Sequence, residues 1–127
     1  MAQDAGDLIV WQRAIELTVS IYELTRSFPR EETYGLTAQM RRASISVASN
    51  IAEGRGRLHS SEFRHFLGMA QGSLFELKTQ LVVAGRLKFG DEVHLFESQA
   101  LIEEISKMLA SFIERLRPAM TKLMADS

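Results

Sequence analysis

The sequence predicts an all-α domain built from four long antiparallel helices. Three observations lead there. Apolar residues recur at three- and four-residue steps in four successive segments. No segment alternates with the period of two that a half-buried strand requires. Most of the eight glycines and two prolines fall where a helical pattern breaks. The 127 residues suit a single domain, and a chain of that size buries roughly two thirds of its unfolded surface.

The first helix is expected over about residues 8–28. Trp11, Ala14, Ile15, Thr18, Ile21, Tyr22, Thr25 and Phe28 form one face, Leu17 and Leu24 widen it, and Pro29 ends it because the residue before a proline is pushed from helical angles. The second is expected over about 33–54, with Leu36, Met40, Ala43, Val47 and Ile51 as its stripe and Gly54 and Gly56 as stops. The third, about 60–87, starts at a Ser60 or Ser61 cap with Glu62 in its first turn. It carries Phe63, Phe66, Leu67, Ala70, Leu74, Leu77, Leu81 and Ala84, close to a heptad. Asp91 caps the fourth, about 91–117, whose stripe is Leu95, Ile102, Ile105, Leu109, Phe112 and Leu116. Pro118 stops or kinks it, although Met120 and Leu123 continue its phase. Short connections make these helices antiparallel neighbours. Val10, Leu17 and Leu24, with Met69 and Val82, lie off the main stripes, and this surplus predicts that the chain meets further copies of itself.

With no cysteine, the chain has no disulfide, no thiolate nucleophile and no Cys-based zinc site. No apolar run reaches the roughly 18 to 20 residues that span a bilayer, and residues 1–7 lack the basic-then-apolar order of a secretory signal, so the expected location is the cytoplasm, away from membranes. Net charge is −1 but unevenly spread: −3 over residues 1–35, +5 over 36–88 and −3 over 89–127. A basic middle between acidic ends has two readings. Helices of opposite sign neutralise one another within or between bundles, or the middle forms an anion-binding face.

Candidate sites follow from spacing. Gly68 and Gly72, four apart on the third helix, favour close approach of another backbone, with Trp11 as a further packing residue. Glu62 and His65 make one Glu-x-x-His step where a di-iron bundle needs two, so no metal is expected. No serine sits in a nucleophile elbow, and Gly54-Arg55-Gly56-Arg57 lacks the lysine step of a phosphate loop, so neither catalysis nor a nucleotide cofactor is expected. Asn50, Glu53 and Glu76, with Arg42, are candidates for a buried polar network, because an orphaned buried polar group costs roughly 1–3 kcal/mol. Arg41, Arg42, Arg55, Arg57 and Arg64 are the candidate nucleic-acid surface. Arg55, Arg57 and Arg64 cluster at the turn between the second and third helices, with Arg86 and Lys88 at the other end.

Trp11 and Ala14, Phe28-Pro29, Tyr34-Gly35-Leu36, Gln39-Met40-Arg41-Arg42-Ala43, Ser46 and Asn50-Ile51-Ala52-Glu53-Gly54 occur in that order. Phe63, Phe66-Leu67, Ala70, Gly72-Ser73, Glu76-Leu77 and Gln80-Leu81 follow. Over about residues 8–117 this pattern resembles the bacterial family of 23S rRNA intervening sequence proteins, also called S23 ribosomal-like proteins. The resemblance implies an up-down-up-down bundle, assembly into a ring (a pentamer) and no enzymatic activity. A related group, the accessory proteins of diversity-generating retroelements, is similar in fold, strongly basic, and looks like a binder of nucleic acid and reverse transcriptase. This chain departs from that group with its charge of −1 and a pI near 6.3. The resulting expectation is a homo-oligomeric scaffold that binds RNA or a ribonucleoprotein through repeated basic patches. The alternative is a protein–protein adaptor whose arginines serve salt bridges.

Overall fold

Helical periodicity in four segments becomes four helices in the computed structural model, which describes residues 5–118. They are α1 (Ile9–Thr25), α2 (Leu36–Arg55), α3 (Ser60–Arg86) and α4 (Glu92–Arg115), with short 3-10 turns at Ala5–Asp7 and Arg30–Glu32. Met120 and Leu123 lie outside the described residues. Each helix packs on its two neighbours in the order α1, α2, α3, α4 and back to α1, and the backbones of the diagonal pairs nowhere approach within 8 Å (Cα to Cα) among the described residues. Direction follows from paired contacts. Arg41 Nε donates to Thr25 Oγ1 at 2.9 Å, and the Thr18 hydroxyl donates to the Ser44 carbonyl at 3.1 Å, so rising numbers on α2 meet falling numbers on α1. Ser46 meets Ser73 at 2.8 Å while Gly54 backs onto Phe63. Lys78 pairs with Glu103 at 2.8 Å, and Arg64 donates to the Ile113 carbonyl at 3.1 Å. Ser20 and Ser98 share a buried bond of 2.7 Å, and Arg13 reaches Glu104 at 2.9 Å. All four adjacent pairs are antiparallel.

The core runs the length of the bundle through Leu17, Ile21, Leu24, Met40, Ile51, Leu67, Leu74, Leu77, Leu81, Ile102, Ile105 and Leu109, all fully buried. Each such side chain removed from water contributes about 1.5–3 kcal/mol. The buried arc of α1 is displaced from the face expected of it. Val10, Leu17 and Leu24 are inside the chain, whereas Ile15 is 39% exposed. A helix wedged between two neighbours buries the arc that bisects them, and on α1 that arc passes through positions 10, 14, 17, 21 and 24. Met69 and Val82 do stay on the surface.

Helix ends show what local chemistry controls. Asp91 caps α4 by accepting the His94 amide at 2.8 Å. The backbone and imidazole bonds from His94 hold the Asp91 carboxyl below its usual range, and the side-chain bond from Asp91 raises His94. The cap of α3 is His59, with Ser60 already helical and no side-chain cap bond. Thr25 is the last residue of α1, three short of Phe28, because the Phe28 amide turns back onto the Thr25 carbonyl at 3.1 Å ahead of Pro29. Gly56 leaves α2 at a right-handed φ of −79°, so α2 does not need a left-handed stop.

At the end of α3, Phe89 N donates to the Ala84 carbonyl at 2.9 Å and Lys88 N to the Gly85 carbonyl at 3.1 Å, with Lys88 at φ 60°. This is the six-to-one and five-to-two pairing of a left-handed cap, at a position that favours glycine. Lys88→Gly is therefore expected to raise stability by about 1 kcal/mol, since the left-handed region costs an L side chain about 1–2 kcal/mol. A denaturant melt with an unchanged slope and a higher midpoint would show it.

Candidate nucleic-acid interface

Antiparallel packing brings the α2–α3 turn and the C-terminal turn of α4 to the same end of the bundle. Arg55, Arg57 and Arg64 therefore stand beside Arg115 and Arg117. Arg64 joins the two elements directly: its Nε donates to the carbonyl of Ile113 at 3.1 Å, one of the last-turn acceptors that a helix leaves unpaired. Three phenylalanines lie beneath these cations. Arg57 stands 4.7 Å from the Phe66 ring, Arg55 5.9 Å from Phe63 and Arg115 4.9 Å from Phe112, while Phe63 and Phe112 meet edge-to-face at 5.2 Å. Arginine over an aromatic face gains about 0.5–1 kcal/mol at an exposed site. The rings thus bias where these three guanidinium groups point, and each already carries an arginine over its face. Carboxylates temper the charge, among them Glu53, which accepts from Arg57 at 2.6 Å, and Glu114, which accepts from Arg117 at 3.0 Å.

Close approach at Gly54 holds this end together. A Cβ there would lie 2.7 Å from Phe66 Cβ and 2.9 Å from Phe63 Cδ1. Glycine at this point is a matter of space between α2 and α3, and it lets the two helices deliver Arg55, Arg57 and Arg64 to one surface.

Arg41 and Arg42 do not join that surface. They sit about 20 Å from Arg55 along α2, at 1.5 Å per residue. Arg41 turns toward α1, where it bonds Thr25 and covers the Tyr22 ring at 4.4 Å. Its hydrogen-bond partners, Thr25 Oγ1 and the Tyr22 carbonyl, are neutral oxygens. Arg42 is exposed and lines a groove of about 230 Å³ with Gln39, Ser46, Ser73 and Glu76, without an ion pair between Arg42 and Glu76.

The buried network expected of Asn50, Glu53 and Glu76 does not form within the chain. Asn50 is half-buried and donates to the Ser46 carbonyl and hydroxyl, Glu53 is exposed and bound to Arg57, and Glu76 is exposed and accepts from Gln80 at 3.2 Å. Asn50, Ser46 and Ser73 make the actual polar link between α2 and α3. The physical reason is position: 50, 53 and 76 fall at the rim of the α2–α3 contact, where water solvates carboxylates at no cost. Trp11 is half-buried against the core. Gly68 and Gly72 face outward, with nothing within 4 Å of a Cβ at either, so they do not bring α2 or α4 closer. Arg115 and Arg117 were not among the residues that spacing singled out. They belong to a segment whose summed charge is acidic, and only the fold carries them to the basic turn.

Among the described residues no three His, Asp or Glu side chains are grouped to hold a metal ion, and no helix is long and apolar enough to cross a membrane. A family model described as 23S rRNA-intervening sequence protein matches residues 6–111. Among solved structures, the chain is similar to a protein of unknown function from the S23 ribosomal protein family of Bacteroides thetaiotaomicron VPI-5482. The TM-score is 0.75 at 22% identity, over 84% of this chain and 96% of that one. At that identity the likeness concerns the fold. No curated protein matches. Neither match names an enzymatic activity.

Proposed function

We propose a function from the premise that the chain belongs to the 23S rRNA-intervening sequence protein family. It is a non-enzymatic, homo-oligomeric scaffold that binds RNA or a ribonucleoprotein through the basic end of each bundle. The observation that carries this reading is the convergence of Arg55, Arg57 and Arg64 with Arg115 and Arg117, three of them over aromatic rings (Arg55 on Phe63, Arg57 on Phe66, Arg115 on Phe112) and Arg64 tied to the Ile113 carbonyl. Clustered cations suit phosphates and read no base edges, so selectivity rests on shape and on repetition of the patch across subunits. Arg41 and Arg42 stand outside this patch, and α1 already holds Arg41.

Fluorescence anisotropy with labelled structured RNA and duplex DNA tests this reading. At about 50 mM salt, RNA binding in the micromolar range is expected. It weakens as salt rises to about 200 mM, with roughly 0.7 to 0.9 of log–log slope per phosphate neutralised. Arg55→Ala with Arg57→Ala is expected to weaken it about tenfold and to lower that slope by about 1–2. Absence of binding at the low salt ends the RNA reading.

A second reading, the protein–protein adaptor, draws on one residue at the same end. Leu58 is 88% exposed at the tip of the α2–α3 turn, between Arg57 and His59. An apolar tip next to Arg57 suits an acidic protein surface, and Leu58→Ser weakening a partner complex without touching RNA affinity would favour it.

A further inference from the structure

A row of polar side chains lies along the seam between α2 and α3, away from the arginine end. Gln39, Arg42 and Ser46 from α2 and Ser73 and Glu76 from α3 line the open groove of about 230 Å³, with Ala43, 5% exposed, as its one apolar member. The two serines share a bond of 2.8 Å, and Asn50 donates to Ser46 Oγ at 3.0 Å, so this wall is held in place. The Arg42 guanidinium makes no hydrogen bond or ion pair among the described residues, although Glu76 lines the same groove.

Gln80, one turn beyond Glu76 on α3, is 8% exposed. Its Nε2 donates to Glu76 Oε1 at 3.2 Å, which fixes the amide, because a flipped amide would set its oxygen against the carboxylate. Gln80 therefore positions Glu76, while its own buried Oε1 accepts from no described residue. Such an orphan is uncommon and marks a point where the chain alone leaves the polar partners incomplete. The groove thus offers a positioned carboxylate from α3 and a donor fork from α2, and the two do not neutralise each other.

We infer that this groove takes an unpaired guanine of the bound RNA, the Glu76 carboxylate accepting from N1–H and N2–H and the Arg42 guanidinium donating to O6 and N7. This rests on the RNA reading proposed above and adds the base readout that the arginine end lacks. A carboxylate accepts two parallel N–H bonds, with room on each oxygen for a second donor beside Gln80, and guanine alone among the four bases sets two adjacent donors on one edge. Its neighbouring edge carries two adjacent acceptors, the pattern that an arginine fork meets. Adenine and cytosine bring a single amino group and uracil a single ring N–H. An unpaired base shows both edges at once, whereas a duplex keeps the first one occupied. Arg42 stands about 20 Å from Arg55 along α2, so a strand lying on the α2–α3 seam meets the groove and the arginine end together.

Anisotropy at about 50 mM salt, with a short oligouridine strand carrying one guanosine and the same strand without it, reads the groove. The guanosine strand is expected to bind about tenfold tighter, the scale of one good bidentate base contact. Inosine, which lacks the N2 amino group, and 7-deazaguanosine, which lacks N7, are each expected to lose most of that gain, and these analogues need no variant protein. Glu76→Gln and Arg42→Gln are each expected to abolish the preference. Both positions are exposed, and the Glu76→Gln amide keeps an oxygen for Gln80. Arg55→Ala with Arg57→Ala is expected to weaken both strands alike and keep their ratio. Guanosine monophosphate alone is expected to bind at least about a hundredfold more weakly than the guanosine strand, because it lacks the second anchor. If neither strand binds, the RNA reading falls and takes this inference with it. If both bind equally, if inosine matches guanosine, or if the preference survives in the Glu76 and Arg42 variants, only the groove assignment is overturned. A monophosphate as tight as the strand assigns the groove to a free nucleotide and overturns it too.

Discussion

Gly54→Val is expected to lower stability by about 3 kcal/mol and the melting temperature by about 10 °C, the top of the range for overpacking a tight contact. The Cβ it adds falls 2.7 Å from Phe66 Cβ and 3.2 Å from the Phe63 carbonyl oxygen, atoms that cannot swing aside as the far end of a flexible side chain would. Gly54→Ala meets the same obstruction but regains about 1 kcal/mol of helix propensity, so a net loss of about 1–2 kcal/mol is expected. Relief comes only by parting α2 from α3 at the end that presents Arg55, Arg57 and Arg64. RNA affinity, corrected for the folded fraction, is therefore expected to fall about tenfold alongside stability. Denaturant melts and anisotropy on the same samples check both halves.

Gly90→Ala is the matching experiment at the far end. Gly90 has φ +80°, and a Cβ there would lie 2.5 Å from Leu24 Cδ1 and 3.1 Å from the Leu24 carbonyl. The left-handed backbone costs an alanine about 1–2 kcal/mol and the overlap with Leu24 a further 1–3 kcal/mol, so a loss of about 3 kcal/mol is expected. The α3–α4 turn is separated from the arginine end by the 27 residues of α3, about 40 Å at 1.5 Å per residue. RNA affinity per folded molecule is expected to stay unchanged. Equal loss of binding in the two glycine variants would mean that binding depends on the whole bundle and not on its basic end.

The number of helices, their approximate ends and the antiparallel order are determined by the sequence itself. Periodicity of 3.6 is a local property, and the spacing of Leu67, Ala70, Leu74, Leu77, Leu81 and Ala84 specifies a buried stripe whatever packs on it. Asp91 capping is local too, because the bond spans three residues. The basic turn at Arg55, Arg57 and Arg64 is likewise legible from adjacency in the chain. The tertiary structure alone decided the rest. Which arc of α1 is buried depends on where α2 and α4 stand, and it moved Val10, Leu17 and Leu24 inside while leaving Ile15 out. Asn50, Glu53 and Glu76 read alike as polar residues near a stripe, yet only the width of the helix contact determines that the two carboxylates reach water. Gly68 and Gly72 have the spacing of a packed pair and face outward, while Gly54 and Gly90, each without such a pair, are the glycines where a Cβ would collide with packed atoms. Arg115 and Arg117 join the basic turn because α4 runs antiparallel to α3 and ends where α3 begins, a coincidence in space that no count along the chain contains.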